Sequence, residues 1–257
     1  SDVYKRQLAT VAVADSTLDV SDLNDSIAQA NTATGATSTG FTISSGGTIN
    51  GGTAAEFTTL LGYESGSQIS ISNQNLTVDS GTMTVANAVA FSATTSGTVT
   101  GEITSGTTIS AMLDSSSGLT GTDAYTITIA AGDAEATAKD LTALYGKTSV
   151  AVDASAVTQI TGTVAEANIV YAAGSSEITG LGNEAVVTTE SSLADVTALN
   201  TLDGNTTGTV NTATITSVTG TLAKLLTAYG SNGITGLGNE AITVSDTTSL
   251  AASDLNS

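Results

Sequence analysis

The stretch Ile178–Ala185, which reads ITGLGNEA, returns unchanged as Ile234–Ala241, 56 residues further along the chain. A second pair of segments, Ile160–Tyr171 and Val218–Tyr229, aligns at an offset of 58 residues. A long repeat of about 57 residues therefore occurs nearly twice. Self-similarity at a fixed period is the sequence signature of a repeat architecture, in which each unit buries its apolar face against its neighbours.

Each long repeat divides into two similar halves, because every β-branched run is followed by a cluster of Gly, Ser, Thr or Asp and then by a stretch rich in Leu and Ala. The centres of nine such runs lie 27–32 residues apart, at Val11, Ile43, Ile71, Val99, Ile127, Val157, Val186, Ile215 and Ile242. This spacing predicts strand–helix units of about 28 residues each.

The local chemistry agrees with this division. Alternation of Thr and Ile over residues 126–129 predicts a half-buried strand. Capping boxes mark the predicted helix starts, at Thr53-x-x-Glu56, Thr163-x-x-Glu166 and Ser16-x-x-Asp19. Apolar side chains at helical spacing then predict one narrow buried stripe per helix, in Leu222/Leu225/Leu226 and Leu141/Leu144/Tyr145.

A strand, a helix and another strand in each period imply parallel strands joined by right-handed crossovers. The predicted fold is therefore α/β, a right-handed solenoid of about nine strand–helix units with one parallel sheet covered by short helices. A parallel β-helix without α-helices is the alternative, and the capping boxes favour the first arrangement.

The two ends of the chain depart from this pattern. Residues 1–7 (SDVYKRQ) lack an initiator Met, hold two of the five cations and resemble adapter-derived sequence found at the ends of assembled environmental transcripts. We expect them to be a non-native leader and residues 8–257 to be a single continuous repeat domain. Residues 254–257 stop where the similar residues 198–201 continue, which predicts an internal fragment of a longer chain.

Composition excludes several classes of function. The chain has 24 acidic and 5 basic residues, a net charge of −19, and no His, Cys, Pro or Trp. It can therefore form no Ser-His-Asp triad and no Cys/His zinc site. Clustered cations for binding nucleic acid are missing, and no apolar run is long enough to span a membrane.

The ITGLGNEA units, each followed by a β-branched run and by segments such as Ser192–Asn200, resemble the very long Thr/Ala/Gly/Asp-rich repetitive proteins of marine cyanobacteria and other marine bacteria. The resemblance covers mainly residues 150–257. It implies a secreted or cell-surface protein with a structural or adhesive role. The implied partners are neighbouring repeats of the same chain and cell-surface glycans or proteins, and the family brings no catalytic residues.

Two short motifs resemble nucleotide-binding sites. Gly180–Ala185 matches the dinucleotide fingerprint G-x-G-x-x-[GA], which requires a helix after it, whereas a β-like run follows here. We predict a tight corner in which Gly and Asn adopt left-handed backbone. Gly146-Lys147-Thr148 lacks the earlier glycine of a phosphate loop, because Leu141 stands in its place. We predict a helix end at Gly146, with Lys147 complementing the helix dipole.

Acidic and hydroxyl clusters complete the search for sites. Asp19, Asp22 and Asp25 predict a solvated helix face, and Asp133 with Glu135 predicts another helix start. Neither set has the order of a calcium loop, although a weak surface calcium site stays open. The Thr-x-Thr pairs predict cross-strand ladders, with an ice-binding array as the alternative, at Thr98/Thr100, Thr126/Thr128 and Thr214/Thr216.

We therefore predict a non-catalytic structural or adhesive repeat, with no catalytic, cofactor-binding or metal-binding residues and no cofactor. Two alternatives stay open. One is a ligand-binding or ice-binding surface, and the other is a carbohydrate-active enzyme that uses two carboxylates across a groove.

Overall fold

The structure, a computed structural model, describes residues 11–13, 17–34, 41–43, 46–114 and 116–247. Residues 1–7, predicted to be a leader, and residues 254–257 lie outside this range. The chain divides into two compact units. The first contains the described residues up to Thr128 together with 145–151, and the second contains 129–144 and the described residues from Val152 onward.

The first unit contains parallel strands alternating with helices. Its elements are β1 (Val11–Val13), β2 (Thr17–Asp19), α1 (Val20–Thr34), β3 (Phe41–Ile43), β4 (Thr48–Gly52), α2 (Ala54–Ser65), β5 (Ile69–Ser70), β6 (Asn75–Met83), α3 (Val85–Thr94), β7 (Val99–Ile103), α4 (Ile109–Leu113) and β8 (Ala124–Thr126). The strands form two sheets, in the orders β1-β3-β5 and β2-β4-β6-β7-β8.

The second unit follows the same plan. Its elements are β9 (Glu135–Thr137), α5 (Ala138–Tyr145, with Tyr145 in the first unit), β10 (Val152–Asp153), β11 (Gln159–Gly162), α6 (Val164–Ala173), β12 (Ile178–Thr179), β13 (Ala185–Thr188), β14 (Ser192–Leu193), α7 (Val196–Asn205), β15 (Val210–Asn211), β16 (Ser217–Gly220), α8 (Leu222–Gly230), β17 (Ile234–Thr235) and β18 (Ala241–Val244). Three sheets result, in the orders β10-β12, β9-β11-β13-β15-β17 and β14-β16-β18.

Every strand pair among the described residues is parallel, which confirms the prediction of an α/β fold with parallel sheets. The alternative of a β-helix without α-helices is wrong, because α-helices follow the strands in both units. The prediction of one covered sheet is also wrong. The described strands form five separate sheets, because the two strands of one turn pair with different neighbours.

Each turn of the chain contains two short strands, where the sequence predicted one. The predicted centres Val157 and Ile215 fall between strands, in the connections β10–β11 and β15–β16. An Asx turn explains the break: Asp153 Oδ1 accepts the Ser155 N–H at 2.9 Å, and Asn211 Oδ1 accepts the Ala213 N–H at 3.0 Å. We call one strand–turn–strand–helix passage, such as residues 152–173, a coil.

The helices bury a narrow stripe, as the apolar spacing predicted. In α7 the first, fourth and seventh residues, Val196, Leu199 and Leu202, are fully buried. In the first unit Phe57 of α2 and Phe91 of α3 are buried with ring centroids 5.7 Å apart. Leu226 departs from the prediction, because 43% of its surface is exposed while Leu225 is buried. No helix among the described residues is long and apolar enough to cross a membrane.

Candidate functional site

The predicted capping boxes are the first polar features that the structure tests. Glu56 accepts the Thr53 N–H at 2.8 Å while Thr53 Oγ1 accepts the Glu56 N–H at 3.3 Å, and the Thr163–Glu166 box has the same geometry. Hydrogen bonds from the Thr backbone hold the pKa of Glu56 and Glu166 below the ordinary value. These two predictions are confirmed.

The third predicted box is wrong in its residues. Ser16 lies outside the described residues, and Asp19 itself accepts the Ser21 N–H at 2.8 Å immediately before α1. The Ser21 hydroxyl is the first cause of the lowered pKa of Asp19. Sequence reasoning also missed a box at the start of α3, formed by Thr84 and Asn87, because asparagine there replaces the expected carboxylate.

The remaining acidic predictions divide. Asp22 and Asp25 are exposed on α1, as expected of a solvated face. Asp133 and Glu135 do not start a helix: they lie in a short 3-10 turn and in β9. Thr137 Oγ1 supplies the cap of α5 by accepting the Asp140 N–H at 3.0 Å. Among the described residues, no group of three or more acidic side chains could hold a metal ion.

The two glycine-rich motifs are structural corners. Gly180 and Gly182 have φ of +84° and +133°, and a strand follows, so the backbone there suits glycine and offers no helix N-terminus. Asn183 does not share the left-handed backbone that was predicted for it. Helix α5 ends at Tyr145, next to Gly146, but Lys147 Nζ contacts the Leu119 carbonyl at 3.5 Å in place of the helix end.

The Thr-x-Thr pairs occupy unequal positions. Thr100 lies in β7 opposite Thr77 of β6, whereas Thr214 and Thr216 lie between β15 and β16. The latter two hydroxyls donate to carbonyls of an earlier coil, Thr214 to Thr188 at 2.9 Å. A Thr188–Thr214 hydroxyl contact of 3.4 Å matches the predicted ladder.

A buried carboxylate stands at the centre of the repeated octapeptide. Glu184 is fully buried, and its two oxygens accept the Gly182 N–H at 3.0 and 2.9 Å. The Tyr171 hydroxyl of α6 donates to Glu184 Oε2 at 2.9 Å. Burial, followed by the charge of Glu184, raises the pKa of Tyr171. We call this set of Tyr, Gly and Glu the latch, because it ties a helix to the corner that follows it.

The second copy of the octapeptide forms the same latch. Glu240 accepts the Gly238 N–H at 2.8 and 2.7 Å and the Tyr229 hydroxyl at 2.9 Å. Burial and the hydrogen bond to Glu240 raise the pKa of Tyr229 to about 12. Tyrosine and glutamate lie 13 residues apart in the first latch and 11 in the second, which accounts for the two repeat offsets.

The first unit contains a buried carboxylate with a different surround. Asp123 is 2% exposed and accepts the Val99 N–H at 2.7 Å, the Ser92 hydroxyl at 2.7 Å and the Tyr125 hydroxyl at 2.8 Å. Both buried carboxylates are thus surrounded by donors and shielded from solvent. Such groups suit holding backbone in place better than exchanging protons with a substrate.

A further acidic side chain from one coil caps the helix of the preceding coil. Glu190 Oε1 accepts the N–H of Val164, the first residue of α6, at 2.7 Å. Asp246 Oδ2 accepts the N–H of Leu222, the first residue of α8, at 2.7 Å. Helix N-terminal amides lack partners inside the helix and favour negative charge. These contacts therefore satisfy each helix start only when the next coil is in place.

Asparagine at the fifth position of a helix contacts the next helix. Asn24, Asn168 and Asn200 each donate a side-chain N–H to the carbonyl of the third residue in the following helix, at 2.9, 2.9 and 3.0 Å. The same contact thus recurs in both units. It fixes the register of neighbouring helices, and α8 has Leu226 at this position.

Two depressions lie on the second unit. One, of about 210 Å³, lies beside the first latch and is lined by Tyr171, Gly180 and Asn205, among others. The other, of about 260 Å³, lies between α5 and α6 and is lined by Lys139, Glu166 and their neighbours. Neither brings together two carboxylates that could act as an acid and base pair.

Comparison with known proteins gives no further guide, since no family model, curated protein or solved structure matches the chain.

Proposed function

We propose that the chain is a non-catalytic structural or adhesive repeat segment of a long secreted or cell-surface protein. One observation carries the proposal: polar side chains of one coil bond the backbone of the next at equivalent positions. The carboxylates of Glu190 and Asp246 and the amides of Asn168 and Asn200 all follow this rule. Their hydrogen-bonding capacity is used inside the fold, as in a scaffold.

The proposal includes the repeat architecture that the spacing predicts, a right-handed solenoid of about nine strand–helix units. Parallel stacking within each unit and helix-to-helix asparagine contacts support it. In a solenoid each coil contacts only its neighbours, so contacts of one kind should recur along the chain.

The proposed location and partners rest on the family resemblance and on charge. A net charge of −19 disfavours binding to nucleic acid and to anionic membranes. Neutral or cationic partners fit this surface better, and neighbouring repeats of the same chain, cell-surface glycans and proteins are the proposed ones.

The test is a deletion of residues 185–240. It joins Glu184 to Ala241, restores ITGLGNEA and removes β13–β17 together with α7 and α8. The first latch keeps Tyr171, Gly182 and Glu184, and Asp246 takes the sequence position of Glu190. We expect circular dichroism per residue and cooperative melting close to those of the parent, because stability in a repeat protein is roughly additive.

A deletion of equal length, residues 171–226, is the matched control. It joins Val170 to Thr227 and places Tyr229 two residues, or about 200° of helix rotation, out of step with the latch. The control should melt well below the first deletion. An unfolded product from the in-register deletion, or equal stability of the two, would contradict the repeat architecture.

A further inference from the structure

The end of the second unit exposes apolar side chains that are buried elsewhere in the fold. Leu226 and Tyr229 on α8 are 43% and 37% exposed, and Ile242 and Val244 on β18 are 51% and 38% exposed. These four are most of the large apolar side chains with such exposure among the described residues. We call them the α8–β18 notch.

The notch continues an interface that the fold already uses. In β18, Ile242 lies opposite Val218 of β16, which is fully buried. In the first octapeptide copy the residue equivalent to Ile242 is Val186, also fully buried, and β15 pairs with its strand. A surface of this sequence is therefore complementary to a strand and an amphipathic helix of the same chain.

The outer side of β18 is also open to hydrogen bonding. β18 pairs with β16 on one side, and no other described strand pairs with it. Alternate backbone groups of a parallel strand point to opposite sides, so part of the β18 backbone lacks a strand partner. An apolar strand with an open edge is a template for pairing with another chain.

Charge favours a second copy of this chain as the occupant. The whole chain carries −19, yet residues 222–244 contain one cation, Lys224, and one anion, Glu240, and so have no net charge. Glu240 is already bound by Gly238 and Tyr229. Two copies can therefore approach at this surface with less repulsion than the rest of the chain would impose.

We propose that the α8–β18 notch is a homotypic docking surface, through which two copies of this chain form a two-fold dimer. A two-fold interface places the same patch on both partners. The apolar flank of α8, with Leu226 and Tyr229, lies over Ile242 and Val244 of the other copy, and the reverse contact completes the pair. This inference goes beyond the proposed scaffold role, because it assigns the scaffold a partner.

Sedimentation equilibrium of the full chain over a concentration series tests the proposal. We expect a monomer–dimer equilibrium whose dissociation constant rises about tenfold or more in Ile242→Asp. Ile169→Asp is the matched control, because Ile169 is 56% exposed on α6, away from the notch, and it should leave the dimer unchanged. Leu226→Asn is the second variant and should also weaken the dimer. It preserves folding, since α6 and α7 have Asn at that position.

The other outcomes overturn the proposal. A parent protein that stays monomeric, open-ended polymers, or equal effects of Ile169→Asp and Ile242→Asp would each do so. A chain that ends at Thr247 separates a second copy from the chain's own residues. We expect it to dimerise like the parent, and dimerisation that appears only after removal of residues 248–257 would contradict a second copy as the occupant.

Discussion

The Tyr171 hydroxyl donates a 2.9 Å hydrogen bond to Glu184 Oε2, and this contact joins the end of α6 to the corner before β13. It places the only hydroxyl of a large, half-buried side chain on a carboxylate with no exposed surface. A buried charge is costly unless donors surround it. The latch therefore depends on each of its donors, the Tyr171 hydroxyl and the Gly182 amide.

We expect Tyr171→Phe to lower the free energy of unfolding by about 1–3 kcal/mol, because it leaves buried Glu184 without one donor. Tyr229→Phe is the comparison, since Glu240 is only half-buried and water can replace the lost hydroxyl. Its loss should be smaller. Urea unfolding of both variants measures the difference, and equal losses would mean that burial does not set the strength of the latch.

Alkaline titration tests the second latch directly. The pKa of Tyr229 is raised from 10.0 to about 12, so the folded protein holds this proton more tightly than the unfolded chain. Its stabilising contribution is therefore complete below pH 10 and is lost as pH rises through about 12. Absorbance of tyrosinate should show a late step that Tyr229→Phe removes. A late step of unchanged size in the variant would assign it to other tyrosines.

The sequence predicted the features whose signal is local. The capping boxes at Thr53 and Thr163 need only a side chain and an amide three residues away, and both formed. The corner at Gly180 was predicted for the same reason, because positive φ is a property of glycine itself.

Contacts between coils left no comparable signal. Glu184 and Glu190 look like ordinary surface acids until the fold brings the Tyr171 hydroxyl and the Val164 amide to them. The second strand of each coil was missed because an Asx turn at Asp153 breaks what the sequence shows as one β-branched run. A repeated Asp or Asn two residues before a backbone turn was the available clue.

Acid should weaken the caps of α2 and α6. Their carboxyls have folded pKa values below 4.5, the ordinary value, because the Thr53 and Thr163 amides donate to them. Their stabilisation is complete above about pH 4.5 and is lost as pH falls through the lower folded values. Glu166→Gln keeps an acceptor oxygen for the cap but cannot titrate. We expect its melting temperature to depend less on pH in this range.

The parent protein is the reference, with the melting temperature followed downward from neutral pH. The Thr84–Asn87 box offers an internal comparison, since it caps α3 without a titratable group. Local melting of α3 should therefore show little of this dependence. An acid transition in Glu166→Gln identical to that of the parent would assign the effect to other carboxylates.

Two glycines near the end of α7 should respond to alanine with opposite signs. Thr206 Oγ1 donates to the Glu184 carbonyl at 2.7 Å and accepts the Gly208 N–H at 2.9 Å, so this loop lies against the octapeptide. A Cβ on Gly208 would lie 2.2 Å from the Glu184 carbonyl oxygen, which is backbone and cannot move aside cheaply. We expect Gly208→Ala to lower the free energy of unfolding by more than about 1 kcal/mol.

Gly204 is the matched control, because it lies four residues earlier, is exposed on α7 and has open space where a Cβ would stand. Alanine favours a helix over glycine by about 0.5–1 kcal/mol, so Gly204→Ala should leave the protein unchanged or more stable. Denaturant unfolding of the two variants side by side measures both signs. If Gly208→Ala matched Gly204→Ala, the loop would not press on Glu184, and the coil-to-coil contact that holds the latch corner would be looser than its hydrogen bonds indicate.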